Sequence, residues 1–484
     1  MMVPHNQGIT VKVQKRGCPQ GSSAGPLLWN LTFNTVLTHA WPPYAKITAY
    51  ADDAVIIIQG RTRVELEERG EIFNNLCTKL KLTLSIDKSP ALIIPKPGTN
   101  PTRKPCIKVQ QTNIKIVSEL KYLGIIWDRG LTWISHLHYI HSKTNAIARK
   151  VKLFQGISWG QNPHINKIPY TTVIERICFY AATIWANPMQ GRKQKQLLTI
   201  QGPFALMICK GFRTTTTSAA LTLAGIPPLY HRATQKAATT RILQLRQDAT
   251  FNGHTFSPTS YEHLRHHSRQ HPGDKGKEVI ISVPKTSSSN ITSAHPVYYT
   301  DGSKQDAGVS SAFLFTHHSE VITSWKGHLQ PHNSIFQAEA LALPKAIAHA
   351  ACFNYRSPIT CTDSQSTLHA IKNHRHTSPI IKDIQSLLQQ HRSNPARLIW
   401  VKAHVGLAGN EAADALANEA ATNHEAIEVN LPAPSSYLKS QLTRAAITAW
   451  QRDWTAATRG VALTFFYQKS QLADSAPYRR LPDL

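Results

Sequence analysis

Two aspartates in the second half of the chain each follow a short run of residues that favours a β-strand. Asp301 comes directly after residues 297–300 (Val-Tyr-Tyr-Thr), and Asp363 comes directly after residues 359–362 (Ile-Thr-Cys-Thr). The carboxyl ends of strands are where α/β sheets place their ligands. If the two strands are parallel neighbours, the two carboxylates lie side by side. An isolated Asp-Gly-Ser is more often a plain turn, so the surrounding elements must decide the role of Asp301.

A third carboxylate, Glu339, lies in a segment that predicts a helix. Residues 334–337 (Ser-Ile-Phe-Gln) have the spacing of a capping box, in which two side chains satisfy backbone groups at a helix start. Glu339 then falls in the first turns of this helix. Pro344 conflicts with the pattern, because proline removes one backbone donor, and it predicts a kink.

The fourth carboxylate follows a predicted loop. Residues 397–401 favour a strand, and the next segment contains His404 and two glycines that suit a mobile loop. Asn410 suits a helix cap. Asp414 and Glu411 are three residues apart and share one face of the helix that follows. We interpret Glu411 as a structural residue rather than a ligand.

Several carboxylates that converge without a partner repel one another, and their pKa values rise. A pair of Mg²⁺ ions removes this penalty. Two such ions can activate water on one side of a phosphodiester and stabilise the leaving oxygen on the other. A histidine on a flexible loop can carry a proton or assist product release.

The order of these pieces resembles type I ribonuclease H over residues 295–425. The matching segments are 300–303 (Thr-Asp-Gly-Ser), 338–341 (Ala-Glu-Ala-Leu), 362–364 (Thr-Asp-Ser), His404 and 409–414 (Gly-Asn-Glu-Ala-Ala-Asp). The resemblance implies a mixed five-stranded sheet, two bound Mg²⁺ ions with Mn²⁺ as a substitute, and cleavage of the RNA strand of RNA–DNA hybrids. It implies metal ligands and catalytic residues at Asp301, Glu339, Asp363 and Asp414, with His404 as the catalytic histidine of the loop.

The first part of the chain contains a second pair of carboxylates. Asp52 and Asp53 lie between two apolar runs that predict a hairpin, and a hairpin tip with two adjacent carboxylates can hold metal for nucleotidyl transfer. The segment 19–30 (Pro-Gln-Gly-Ser-Ser-Ala-Gly-Pro-Leu-Leu-Trp-Asn) precedes them. Together with residues 84–89 and 120–124, these features resemble the palm of a reverse transcriptase. The resemblance implies an incomplete metal site at Asp52 and Asp53, and nucleic-acid contacts at Gln20, Gly21 and Lys88.

A palm, a basic helical segment and a ribonuclease H domain, in that order, resemble the polymerase frame of a non-LTR retrotransposon of the jockey- or I-like arthropod kind. Such a polymerase requires a third aspartate upstream of residue 19, and residues 1–18 contain neither Asp nor Glu. The fingers are also missing. We therefore expect an N-terminally truncated polymerase that has no activity from this chain alone.

The charge of the chain predicts a polyanionic partner. The 484 residues include 54 Lys and Arg against 28 Asp and Glu, which gives a formal charge of +26. Residues 129–294 carry +16 of this charge, whereas residues 295–425 are neutral. Candidate phosphate contacts in the basic segment are Lys143, Arg149, Lys150, Arg192 and Lys193.

We expect an α/β chain in five parts: a partial palm (1–128), a basic helical thumb or connection (129–247), a linker (248–294), the ribonuclease H domain (295–425) and a helical tail (426–484). Seven sparse cysteines argue against a secreted disulfide scaffold, and no signal peptide or membrane span is predicted. We expect an intracellular protein, nuclear or cytoplasmic. The alternatives are a catalytically dead nucleic-acid-binding remnant and another nuclease or transposase on the same fold.

Overall fold

The computed structural model describes residues 2–5, 8–11, 21–79, 84–96, 98, 106–109, 112–154, 159–263, 281–282, 296–318, 320–353, 358–390, 397–422 and 426–456. Two compact units are present, Met1–Ser142 and Lys143–Leu484. None of the helices in the described ranges is long and apolar enough to cross a membrane.

The first unit contains short antiparallel hairpins and two helices. Its elements are β1 (Met2–His5), β2 (Gly8–Val11), α1 (Gly25–Leu37), β3 (Ala45–Tyr50), β4 (Asp53–Ile58), α2 (Arg63–Lys79), β5 (Ala91–Leu92), β6 (Lys108–Val109), β7 (Thr112–Asn113), β8 (Ile116–Val117), β9 (Glu119–Tyr122), β10 (Ile125–Asp128) and the start of α3 (Ile134–Lys152). The predicted hairpin is confirmed as β3 and β4, which pair antiparallel. Ala51 adopts a positive φ of 54° in the turn, and Trp29 Nε1 of α1 donates to its carbonyl at 2.8 Å.

The second unit begins with a helical region. Its helices are α4 (Pro163–Pro169), α5 (Glu175–Cys178), α6 (Ala182–Trp185), α7 (Arg192–Cys209), α8 (Thr217–Leu223) and α9 (Leu229–Leu243), with a π-helical turn at Tyr170–Ile174. Residues 174–185 are apolar enough to form one continuous core helix, but the structure divides this segment into α5 and α6. Ala181 adopts a left-handed conformation with φ 50°, which ends one helix and starts the next. Cys178 and Trp185 are both buried in the resulting arrangement, whereas Tyr180 is exposed.

The predicted linker is ordered at its start. Strands β11 (Ala249–Phe251) and β12 (His254–Phe256) form a hairpin where residues 248–294 were expected to be a linker. The buried rings of Phe251 and Tyr261 explain the order, because they pack in one cluster with α9 and the last helix, α14 (Ser435–Ala456).

A mixed sheet forms the second half of this unit. Its strands are β13 (Ile281–Ser282), β14 (Val297–Gln305), β15 (Gly308–His317), β16 (Glu320–Leu329), β17 (Ile359–Thr362), β18 (Arg397–Trp400) and β19 (Ile427–Val429), in the order β13-β18-β17-β14-β15-β16-β19. Strands β14, β15 and β16 are antiparallel, and β14, β17 and β18 are parallel. The α/β class is confirmed. The sheet has seven strands rather than five, because two very short edge strands extend it.

Helices cover both faces of this sheet. The helices are α10 (Ile335–Cys352), α11 (Gln365–Lys372), α12 (Pro379–Gln390) and α13 (Ala408–Thr422). Leu398 and Val309 lie in the core shared with α10, α11 and α12, whereas Tyr299 and Ile399 lie in the core shared with α13. Because side chains alternate along a strand, Leu398 and Ile399 point to opposite faces, and β18 contributes to both cores.

Candidate active site

Asp301 and Asp363 lie on neighbouring strands, as predicted. Strand β14 pairs in parallel with β17, and Thr300 is opposite Thr362 in the register. The next residue in each segment is the aspartate, so the two carboxylates lie side by side: Asp301 is within β14, which continues to Gln305, and Asp363 follows the last residue of β17. Asp301 is 8% exposed, which places its carboxylate in an environment with little water.

Glu339 reaches these two carboxylates because α10 lies unusually close to β14. The capping box at Ser334 and Gln337 is confirmed and starts the helix. A Cβ on Gly302 would lie 2.3 Å from the backbone nitrogen of Glu339, so only glycine permits this approach. Helix α10 runs continuously from Ile335 to Cys352 through Pro344, so the missing N–H of that proline does not end it.

Asp414 completes the group from α13. It lies close enough to Asp301 to raise the pKa of that carboxyl, and Asn418, one turn later on the same helix, donates its amide to Asp414 at 2.8 Å. Ser303 and Gln305 of β14 donate to the other end of Asn418 at 2.6 and 2.8 Å. Asn418 therefore joins the helix to the strand and fixes the orientation of Asp414.

The electrostatics of the site follow from burial and from like charges. Burial raises the pKa of Asp301 to about 7, and the charges of Asp363 and Asp414 act in the same direction. Burial is also the main cause of the raised pKa values of Glu339 and Asp363. Asp301, Glu339 and Asp363 are therefore protonated more readily than exposed carboxylates would be.

Two further polar residues hold the carboxylates in place, and sequence reasoning missed both roles. Ser364 Oγ donates to Glu339 Oε2 at 2.6 Å while it also caps the start of α11. Asn410 forms a hydrogen bond with Asp363, which opposes the rise in the pKa of that carboxyl. Asn410 was predicted to cap α13, but the helix begins two residues earlier. Asn418 supports a third carboxylate, Asp414. The sequence indicates this contact, because residues four apart on a helix are neighbours.

The loop before α13 contains His404. This histidine is exposed, adopts a positive φ of 52°, and lies near enough to Asp363 that its positive charge would lower the pKa of that carboxyl. Gly406 adopts φ 80°, and its N–H donates to Glu411 Oε1 at 3.0 Å. Glu411 therefore holds the loop, in agreement with a structural role.

The donor set fits a divalent cation. Carboxylate oxygens are the hard ligands that such ions prefer. The charges of Asp363 and Asp414 help to raise the pKa of Asp301, and a bound cation would remove that repulsion. Within the residues that the structure describes, no group of three or more His, Cys, Asp or Glu side chains is close enough to hold an ion as it stands.

The first unit places Asp52 and Asp53 at a hairpin tip. Asp52 lies in the turn and Asp53 begins β4, and both are exposed. The charge of Asp53 contributes to the raised pKa of Tyr122, after burial, so β4 and β9 are close at this point. Gly21 adopts φ 83° and Lys88 is exposed in a short 3₁₀ helix at Ile86–Lys88. Gln20 lies outside the described residues.

Four of the five predicted phosphate contacts in the basic segment are exposed. Lys143, Arg149 and Lys150 lie on α3, and Arg192 begins α7. Lys193 does not fit the prediction. Its ammonium group donates to the carbonyls of Trp185 and Pro188 at 3.0 and 2.9 Å, so it stabilises the chain before α7 rather than facing a ligand.

Comparison with known proteins agrees with both halves of this description. A family model for reverse transcriptase (RNA-dependent DNA polymerase) matches residues 1–127, and one for RNase H matches residues 294–422. The chain thus contains a reverse transcriptase domain and an RNase H domain, and it is similar to proteins of type-1, non-LTR retrotransposons.

The curated relatives are retrotransposon proteins of insects. A putative 115 kDa protein in the type-1 retrotransposable element R1DM of Drosophila melanogaster is 27% identical over 219 residues, which is 44% of this chain and 21% of that protein. A retrovirus-related Pol polyprotein from the element R1 of Bradysia coprophila is 30% identical over 187 residues, or 38% of this chain and 18% of that protein. The chain therefore spans about a fifth of the length of these relatives.

Among solved structures, RNase H1 from Halobacterium salinarum matches 26% of this chain and 96% of its own length. The sequence identity is 22% and the TM-score is 0.22.

Proposed function

We propose that residues 295–425 hydrolyse the RNA strand of RNA–DNA hybrids and use two Mg²⁺ ions, for which Mn²⁺ can substitute. The observation that carries this proposal is the convergence of Asp301, Glu339, Asp363 and Asp414 at one edge of the sheet, each from a different element. When bound, the two ions would activate water and stabilise the leaving oxygen of the phosphodiester.

The residues of the chain have distinct parts in this function. The four carboxylates would hold the ions, and burial keeps competing water away from them. Ser364 and Asn418 fix the orientations of Glu339 and Asp414, so the ligands need little reorganisation. His404, on its exposed loop, is in position to accept or donate a proton near Asp363.

The alternative is a catalytically dead remnant. It would be favoured if Pro344 distorted α10, the helix that carries Glu339. The uninterrupted helix from Ile335 to Cys352 supports the enzyme instead. An intracellular site of action, nuclear or cytoplasmic, fits this function.

The test is cleavage of a hybrid labelled on its RNA strand by the full chain in Mg²⁺. Asp363→Asn should lower the rate more than the about 10–100-fold that is typical for loss of a supporting residue, because it removes a ligand. Asp306→Asn is the matched control, since Asp306 is exposed in the turn between β14 and β15. Equal rates for the native chain and Asp363→Asn, or no cleavage by a folded native chain in Mg²⁺ or Mn²⁺, would contradict the proposal.

A further inference from the structure

Four basic side chains that were not among the predicted nucleic-acid contacts gather where three helices meet. Arg176 is on α5, Arg232 and Lys236 are one turn apart on α9, and Lys439 is on α14. We call these four residues the three-helix basic cluster.

Hydrogen bonds and one ion pair fix this arrangement. Gln235, beside Lys236, donates to Thr443 Oγ1 of α14 at 2.8 Å, and Lys439 lies one turn before that threonine. Arg232 Nη2 is 3.4 Å from Glu175 Oε2, and Arg176 directly follows Glu175 on α5. This ion pair therefore joins α9 to α5 beside Arg176. The packing of the helices therefore holds the backbone positions of these four residues near one another.

The cluster contains more positive charge than its surroundings offset. Lys236 has a lowered pKa because of partial burial and then because of Arg176, Lys439 and Arg232, which all lie near it. Among the residues that the structure describes, Glu175 and Glu262 lie near these cations, and both are already engaged. Glu175 is buried and pairs with Arg232, and Glu262 accepts the backbone N–H of Ser435 at 3.0 Å. Like charges held together in this way favour an anionic ligand.

We propose that the three-helix basic cluster binds the phosphate backbone of the hybrid duplex. Arg176, Lys236 and Lys439 are exposed, and together with Arg232 they extend over three helices, which suits successive phosphates better than one small anion. The same structural unit contains the candidate active site. This inference rests on the proposed function for the identity of the duplex.

Binding is the direct test, and it does not require cleavage. A fluorescent RNA–DNA hybrid is titrated with the full chain in EDTA at several salt concentrations, with Asp363→Asn as the background. Each lost phosphate contact makes the negative slope of log K against log salt shallower by about 0.9. Lys236→Gln with Lys439→Gln should therefore make the slope shallower by about 1–2 and weaken binding at low salt.

The matched control is Lys345→Gln with Arg444→Gln, which removes the same charge from exposed residues outside the cluster. If the control changes the slope as much as the cluster variant does, or if the cluster variant binds like the background chain, the proposal is wrong. Thermal unfolding of each variant shows that it is folded. Inorganic phosphate is the second probe. If it stabilises the chain through Lys236 and Lys439 while the duplex slope is unchanged, the site takes a small anion and the duplex proposal is overturned.

Cleavage separates this inference from the proposed function. With Asp363 intact, the cluster variant should cut saturating hybrid at the native rate but require more substrate. A native chain that binds hybrid through the cluster and cuts nothing would leave the inference standing and would remove the proposed function.

Discussion

At the scale of single residues, Asn418 is the side chain on which the position of Asp414 depends. Its amide donates to Asp414, and its carbonyl oxygen accepts from Ser303 and Gln305. Loss of a residue that supports a metal ligand typically lowers metal affinity about 10–100-fold. Asn418→Ala should therefore raise the Mg²⁺ concentration for half-maximal hybrid cleavage by about 10-fold or more, with a smaller effect at saturating Mg²⁺.

A second substitution on the same helix controls for damage to α13. Thr422 is exposed in the last turn and donates to the carbonyl of Glu419. Thr422→Ala should leave the Mg²⁺ titration unchanged. An unshifted titration for Asn418→Ala would show that Asp414 needs no support, or that it is not a ligand.

At the scale of elements, the distance between α10 and β14 decides whether Glu339 reaches the other carboxylates. Gly302→Ala would place a methyl group 2.3 Å from the nitrogen of Glu339 and 2.6 Å from the carbonyl carbon of Ala338. Neither backbone atom can move without the helix. We expect a loss of about 1–3 kcal/mol in the free energy of unfolding, together with a large loss of cleavage, measured by thermal unfolding and by the hybrid assay.

The control is Gly202→Ala on α7. A Cβ at this glycine would meet Thr217 Oγ1 at 3.4 Å, so the added methyl group fits with little adjustment. Stability and cleavage should both stay near native. If Gly302→Ala is equally silent, the close approach of α10 is not what places Glu339.

The sequence predicted those elements whose signals are local. Runs that favour strands preceded Asp301 and Asp363, and the capping box at Ser334 marked the start of α10, and all three were confirmed. The failures depended on distant contacts. Residues 174–185 are apolar enough for a helix, but Ala181 turns the chain so that both halves pack inward. The sequence indicates Lys193 as a surface cation, because it does not show that the chain folds back to bring the carbonyls of Trp185 and Pro188 to its ammonium group.

At the scale of the second unit, the last helix belongs to the helical region as much as to the sheet domain. Leu438 and Leu442 of α14 are fully buried against Ile242 of α9 and its neighbours. Asp453 Oδ2 accepts the hydroxyl of Tyr230 at 2.7 Å and lies 2.8 Å from His231 Nε2. The chain thus leaves the sheet at β19 and returns to α9. A fragment that begins after the helical region would leave this apolar face of α14 without its partner.

Leu442→Ala tests this connection. Truncation of a fully buried leucine costs about 2–5 kcal/mol, and the cost should fall on the contact between α9 and α14. Hydrogen exchange should become faster in both helices, while the strands β14 and β17 keep their protection. Because the three-helix basic cluster needs α14 beside α9, hybrid binding should weaken in parallel. Leu245→Ala, at a residue that is 52% exposed, should change neither measurement. Unchanged exchange in α9 after Leu442→Ala would mean that α14 contributes nothing to the helical region, and the cluster would then lack the packing that assembles it.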